Sequence, residues 1–383
     1  MSPFIYLNSP AREWVYNHDG AQSGTHESTV LAFHKTIPEY NETKLHSLTD
    51  LATELGLGHV LLKDESNRFG LPAFKILGAS WAVYRAIGLH LGLPVSDGRV
   101  SFAEVGSKAR ESGLQIVTVT EGNCGRAVAR MAAAHMGIPT RVFVPSLMDE
   151  KTRAKIRGEG AEVIALDKSY DDVIPVVLEE AKAGENTILI LDVSVEGYDT
   201  IPQYFVEGYS TMLAESDRQV LELTGGKAAT HAIVPVGAGS IGEAVTAHFK
   251  SSTRRNDSGQ ARVLGVEATV AACLFQSLKT GKSVSVLTED TIMCGMNCGI
   301  LSNTAWPILR DGMDAGVVVS DLESHNAVQE LSARGIPAGP CGAATLAALK
   351  RACADAKQEL GLDETSIVVL YCTEGQREYM VPS

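Results

Sequence analysis

LQIVTVTEGNCGRAVARMAAAHMGIPTRVFVP (114–145) reads as a complete unit of strand, loop, helix and strand. LQIVTVT (114–120) is a β-branched apolar run, EGNCG carries two glycines, and RAVARMAAAHMG (126–137) has an alanine-rich apolar stripe ending on Gly137, a natural C-terminal cap. TRVFVP (140–145) then returns to a strand pattern. The same alternation runs outward in both directions, with strand-like segments HVLLKD (59–64), EVIALD (162–167), TILILD (187–192), HAIVPVG (231–237), ARVLGVE (261–267) and SIVVLYC (366–372). Helical patterns such as DEKTRAKIRGEG (149–160) lie between them. Strands that alternate with helices pair in parallel through crossovers, so the fold class is expected to be α/β, with mostly parallel sheets flanked by helices.

Bulk properties narrow the function. A chain of 383 residues exceeds the ~250–300 at which one core stops growing, so two domains are expected. No segment approaches the ~18 consecutive apolar residues of a membrane span. The 33 basic and 46 acidic residues leave a formal charge of −13, which repels nucleic-acid phosphates. Neither membrane nor nucleic acid is therefore an expected partner. MSPFIYLNSPAREW (1–14) lacks a basic region followed by an apolar run, which points to the cytoplasm. Seven cysteines, an odd number placed mostly in apolar segments, read as reduced thiols. Cys294 and Cys298 form a C-x3-C pair without a companion His or second pair, so no metal site is expected. RRNDSGQ (254–260) reads as a surface loop.

Three clusters carry chemistry. In KDESNRFGLPAFKILGASWAV (63–83), charged and turn residues precede Phe74 and Lys75, and an apolar helix follows. A helix N-terminus disfavours a cation and burial lowers an amine's pKa, which suits a Schiff-base lysine; a lysine reaching for water is the plainer alternative. Between a strand and a helix, Thr120, Glu121, Gly122, Asn123, Cys124, Gly125 and Arg126 could offer backbone amides to a carboxylate, or form an ordinary tight turn. Val236, Gly237, Ala238, Gly239, Ser240, Ile241 and Gly242 repeat that plan, with amides and the Ser240 hydroxyl suited to phosphate.

With these clusters in this order, the chain resembles the fold type II pyridoxal-phosphate (PLP) enzymes, the tryptophan synthase β family. The resemblance is greatest to its diaminopropionate ammonia-lyases, through KDESNRFGLPAFKILGAS, EGNCGRAVA, DVSVEGYDTIPQYFVEGYSTM, VGAGSIGEAV, TIMCGMNCG and CTEG. It implies a large PLP-binding domain formed by residues 1–79 and 196–383, and a small domain of 80–195 that carries the substrate carboxylate loop. It further implies that Lys75, beside Phe74, holds the cofactor, that Gly237, Ala238, Gly239 and Ser240 bind its phosphate, and that Asn123 lies by its ring hydroxyl. Cys372 occupies the place where relatives set a serine toward the pyridine nitrogen.

Glu121 and Asp192 stand at the family's two substrate-addressing aspartates, and Gly122, Asn123, Cys124 and Gly125 complete the substrate loop. Three departures surround this pocket: Glu121 for aspartate, Cys124 for histidine and Val195 for tryptophan. The implied reaction is α,β-elimination from a small amino acid of the 2,3-diaminopropionate type, giving a 2-oxo acid and ammonia. A homodimer is implied as well. β-Replacement, serine or threonine deamination, and a PLP-binding homologue without activity are the competing readings. Outside these clusters, His231 reads as a capping or surface residue, Trp81 and Trp306 as packing, and TIMCGMNCG (291–299) as an entrance lining or a packed loop.

Overall fold

The computed structural model describes residues 2–17, 23–254 and 260–382. Of the loop expected at 254–260, residues 255–259 lie outside the described part. Eleven strands are described: β1 (Ile5–Leu7), β2 (Leu45–Ser47), β3 (His59–Asp64), β4 (Gln115–Val119), β5 (Thr140–Pro145), β6 (Glu162–Leu166), β7 (Thr187–Leu189), β8 (His231–Pro235), β9 (Arg262–Ala268), β10 (Ala315–Val319) and β11 (Ile367–Cys372). They form two sheets, ordered β1-β10-β9-β8-β11-β3-β2 and β6-β5-β4-β7. Only the edge pairs, β1 with β10 and β2 with β3, are antiparallel. The α/β class with mostly parallel, helix-flanked sheets therefore holds.

The chain divides into two compact units. The first comprises Met1–Ser23, Asn41–Phe74 and Met212–Ser383, and the second Gly24–Tyr40 and Lys75–Thr211. The span 80–195 falls within the second unit, which also includes 24–40, 75–79 and 196–211. Lys75 thus opens the second unit.

In the first unit, β11 lies between β8 and β3, with Cys372 in register with Asp64. Its strands read as unbroken apolar runs because both faces are covered. One face, with Val60, Leu62, Ile233, Val266, Val317, Val368 and Leu370, packs on Ala343, Leu346 and Leu349 of the Pro340–Asp355 helix. Each fully buried Val or Leu contributes roughly 1.5–3 kcal/mol. In the second unit, Val117, Val119, Phe143 and Leu189 meet Val173 and Val177, while Val142 and Val144 pack on Ala129 and Ile156.

The Lys75–His90 helix is buried nearly all round, as its alanine, glycine and aromatic content requires. Phe33, Trp81 and Tyr84 form an aromatic cluster against it, and Trp81 Nε1 donates to Glu207 at 2.7 Å, which makes Trp81 a packing residue. This helix crosses the Thr200–Gly208 helix at two glycines. A Cβ on Gly208 would lie 2.4 Å from Leu77 O, and one on Gly78 would lie 2.7 Å from Tyr209 Cε1. His231 departs from its expected role: it is buried, its Nε2 donating to Leu360 O at 2.9 Å and its Nδ1 paired with Thr230 Oγ1 at 2.8 Å. Burial lowers that ring to about 4, so it is a neutral core histidine.

Candidate active site

In the second unit, Lys75 is the first residue of its helix. Lys75 Nζ lies 2.5 Å from Asp192 Oδ2, with side chains 22% and 9% exposed. Burial alone would lower the lysine, but the attraction of Asp192, aided by Tyr209 and Cys124, outweighs it and the amine is raised well above its ordinary value. Burial likewise pushes Asp192 up, and the Lys75 charge with the Cys124 contact overcomes that push and holds the carboxyl below its usual range. This corrects the expectation of a lowered amine. Without cofactor the pair is an ammonium and a carboxylate.

Asp192 owes its place to the end of β7. Ile190 N donates to Val117 O of β4 at 2.9 Å, after which the chain leaves the sheet. The Tyr198 hydroxyl accepts from Leu191 N at 3.1 Å and donates to Leu189 O at 2.6 Å. The strand expected over 187–192 accordingly stops at Leu189. Cys124 is buried against this group; burial first, then the Asp192 charge, raise its thiol well above the ordinary value, so it stays protonated.

The loop 120–125 is closed by Thr120, whose hydroxyl accepts from Gly122 N at 3.0 Å and Gly125 N at 2.9 Å. Both glycine amides expected to serve a carboxylate are thus engaged within the loop. The Asn123–Ala129 helix starts directly after this turn. A Cβ on Gly125 would lie 2.2 Å from Thr120 Cγ2, so glycine is obligatory there. Asn123 is half-buried at the helix start, whereas Glu121 is exposed. The structure therefore brings Lys75, Cys124 and Asp192 together and leaves Glu121 at the surface of its loop. Tyr198 and Tyr209 were missed as candidates, although both lie in the 192–212 motif, where a tyrosine six residues after an aspartate was the available signal.

In the first unit, Gly237, Ala238 and Gly239 lead from β8 into the Ser240–Phe249 helix. Gly239 has φ +108°, and a Cβ there would lie 2.8 Å from Ala305 Cβ. A Cβ on Gly237 would lie 3.2 Å from both Cys298 Sγ and Gly295 O, so TIMCGMNCG packs on this loop. Ala238 O accepts from Ser302 N at 2.7 Å, and Glu243 N closes the first helical turn on Gly239 O at 2.7 Å. The amides of that first turn suit an anion. Phe74, buried, donates its N–H to Thr373 O at 3.2 Å. Cys372 is fully buried beneath the Pro340–Asp355 helix, with Sγ 2.6 Å from where a Cβ on Gly342 would be, and it donates to Glu374 O at 3.6 Å.

Lys63, Glu65 and Arg68 of KDESNR serve the core. Arg68 binds Glu65 and Glu215 at 2.7 Å, Lys63 binds Glu215 at 3.0 Å, and all four side chains are buried. Among the described residues, no group of three His, Cys, Asp or Glu could hold a metal ion, and no helix is long and apolar enough to cross a membrane.

A lysine amine paired with a buried carboxylate, and a glycine cradle that any side chain would fill, are the groups that an aldehyde-bearing phosphate cofactor requires. The chain belongs to the pyridoxal-phosphate dependent enzyme family, whose sequence profile matches residues 37–373. Diaminopropionate ammonia-lyase of Salmonella typhimurium is 33% identical across 90% of this chain and 88% of its own length. The Escherichia coli protein of that name is 31% identical across 73% of this chain and 68% of its own. A crystal structure of the E. coli enzyme in complex with an aminoacrylate-PLP azomethine reaction intermediate covers 97% of this chain and 93% of its own, with TM-score 0.83 and 27% identity. A threonine deaminase from Solanum lycopersicum, at 18% identity and TM-score 0.70, shares the fold. The chain is thus an enzyme with pyridoxal phosphate as cofactor.

Proposed function

We propose that this enzyme eliminates ammonia from a small amino acid of the 2,3-diaminopropionate type. One substrate molecule and one water would give pyruvate and two ammonia. The observation that carries the reading is the Lys75–Asp192 contact at 2.5 Å, with the Cys124 thiol against it. By family likeness Lys75, and Gly237, Ala238, Gly239 and Ser240, would hold pyridoxal phosphate, which when bound would supply the electron sink that lets an α-proton and a β-substituent leave.

The chain's own groups supply the remaining chemistry. Asp192 Oδ2 would accept a proton from Lys75 Nζ and return it, so the charge on the amine is set at that contact. Lys75 Nζ would serve as the base for one face of the substrate, and Glu121, on its exposed loop, is assigned to the opposite face. Asn123 and Cys124 are assigned to the substrate carboxylate, with Gly122 and Gly125 shaping the loop. Phe74 is assigned to the cofactor's surroundings and Cys372 to its ring nitrogen. A thiol is a weak donor there, consistent with chemistry that needs only a modest sink. Likeness to the ammonia-lyases supports a homodimer, and seven free cysteines support the cytoplasm.

The test is incubation of the cofactor-loaded enzyme with each enantiomer of 2,3-diaminopropionate, with and without added thiol. Pyruvate and ammonia in a one-to-two ratio, unchanged by thiol and lost in Lys75→Ala, are expected. A thiol adduct in place of pyruvate would instead establish β-replacement.

A further inference from the structure

We infer that Tyr198 is a positioning residue for Asp192, fixing the carboxylate against Lys75 through the backbone without touching it; this rests on the reading of Asp192 as a proton-transfer group. β7 is the outer strand of its sheet, bonded to β4 on one side. In a strand, successive backbone groups face opposite edges. Ile190 N turns inward to Val117 O, so Leu189 O and Leu191 N face the outer edge. Both residues are buried, which makes unsatisfied edge groups costly.

Among the described residues, no further strand covers that edge. The Tyr198 hydroxyl takes the place of one, accepting from Leu191 N and donating to Leu189 O. A single oxygen thereby satisfies two outward-facing groups.

The intervening loop is shaped to deliver the ring. Gly197 adopts φ +76°, Tyr198 N bonds back to Val195 O at 2.9 Å, and the Ser194 hydroxyl binds Asp199. The ring packs on the cluster that contains Val117, Leu189 and Leu191. Asp192 follows Leu191 directly, so the carboxylate is one residue from an amide clamped by the phenol. Phenylalanine at 198 would preserve the ring packing and release that clamp.

The experiment reads Lys75 in cofactor-free protein, where turnover plays no part. The rate of Lys75 acetylation by acetic anhydride at pH 8 reports the neutral-amine fraction, which rises about tenfold for each unit the pKa falls. Wild type should label slowly, Asp192→Asn fast, and Tyr198→Phe at least about tenfold faster than wild type. In the loaded enzyme, Tyr198→Phe should lower kcat about 10- to 100-fold, the scale of a displacement near 1 Å, with a smaller change in KM. A second variant, 4-aminophenylalanine at 198, retains a donor for Leu189 O and should return both readouts toward wild type.

Wild-type labelling in folded Tyr198→Phe, failure of the amino variant to rescue, or unchanged labelling in Asp192→Asn would each overturn the inference. Absence of lyase turnover in wild type alongside the predicted labelling would instead sink the ammonia-lyase reading and leave the Tyr198 clamp standing.

Discussion

Asp192→Asn removes one charge and almost no volume, so it isolates the pair with Lys75. Unit charges 2.5 Å apart attract by roughly 6–7 kcal/mol at an effective dielectric of about 20, opposed by several kcal/mol of desolvation for each ion. Removing one partner of a buried pair costs about 3–5 kcal/mol. With 22% of the Lys75 side chain still exposed, about 2–4 kcal/mol is the expected loss in cofactor-free protein. For a chain of 383 residues that corresponds to a Tm lower by about 2–5 °C, followed by scanning fluorimetry.

The pH dependence gives the diagnostic sign. In wild type, the raised lysine contributes stability below its unfolded value of 10.5, lost only as pH rises through its higher folded value. The lowered Asp192 contributes above 3.8, lost as pH falls through its folded value. The wild-type contribution is therefore flat from about pH 5 to 10. In the variant, burial acts on Lys75 without the Asp192 charge, its largest opponent, and the amine is expected to fall below 10.5. The variant should therefore regain stability as pH rises from 7 toward 10, narrowing the gap to wild type. A Tm difference that is absent, or constant across that range, would refute the reasoning.

Gly239→Ala forces a side chain into a φ of +108° and to within 2.8 Å of Ala305 Cβ; cofactor affinity, read by equilibrium dialysis, should fall at least about tenfold for a cost near 1–3 kcal/mol. Thr120→Val releases the amides of Gly122 and Gly125 from the loop hydroxyl; KM for the amino acid should rise about tenfold or more, with smaller change in cofactor absorbance. Glu267, which accepts from Leu274 N and Phe275 N at 2.7 Å, is raised by burial to about 8 from 4.5. A raised carboxyl contributes stability below pH 4.5 that is lost as pH approaches 8. Glu267→Gln should therefore flatten the fall in Tm over that interval; a slope equal to wild type would contradict it.

Much of the fold could be read in advance because its strands are buried on both faces. Eight apolar runs, from HVLLKD to SIVVLYC, are all strands, and β3 and β5 match to the residue. β1 and β2 are only three residues long and carry no periodic signal, while AGVVV (315–319) is a five-residue run that periodicity alone does not assign. Long-range partners explain the other misses. The buried roles of Lys63, Glu65 and Arg68 depend on Glu215, which is distant in sequence and pairs with Lys63 and Arg68. The β7 boundary moved because a phenol eight residues on from Ile190 replaces a strand partner. For the site, Lys75, Cys124 and Asp192 could be picked out but their electrostatics could not. The direction of the lysine shift depends on a 2.5 Å contact between residues 117 apart in sequence.

Borohydride reduction of the cofactor-saturated enzyme, followed by tryptic mass spectrometry, reads the cofactor linkage at the residue itself. The expected product carries a phosphopyridoxyl group on Lys75 and a missed cleavage that joins FGLPAFK to the segment after it. A fully loaded protein whose Lys75 remains unmodified, or whose adduct lies on another lysine, would contradict it.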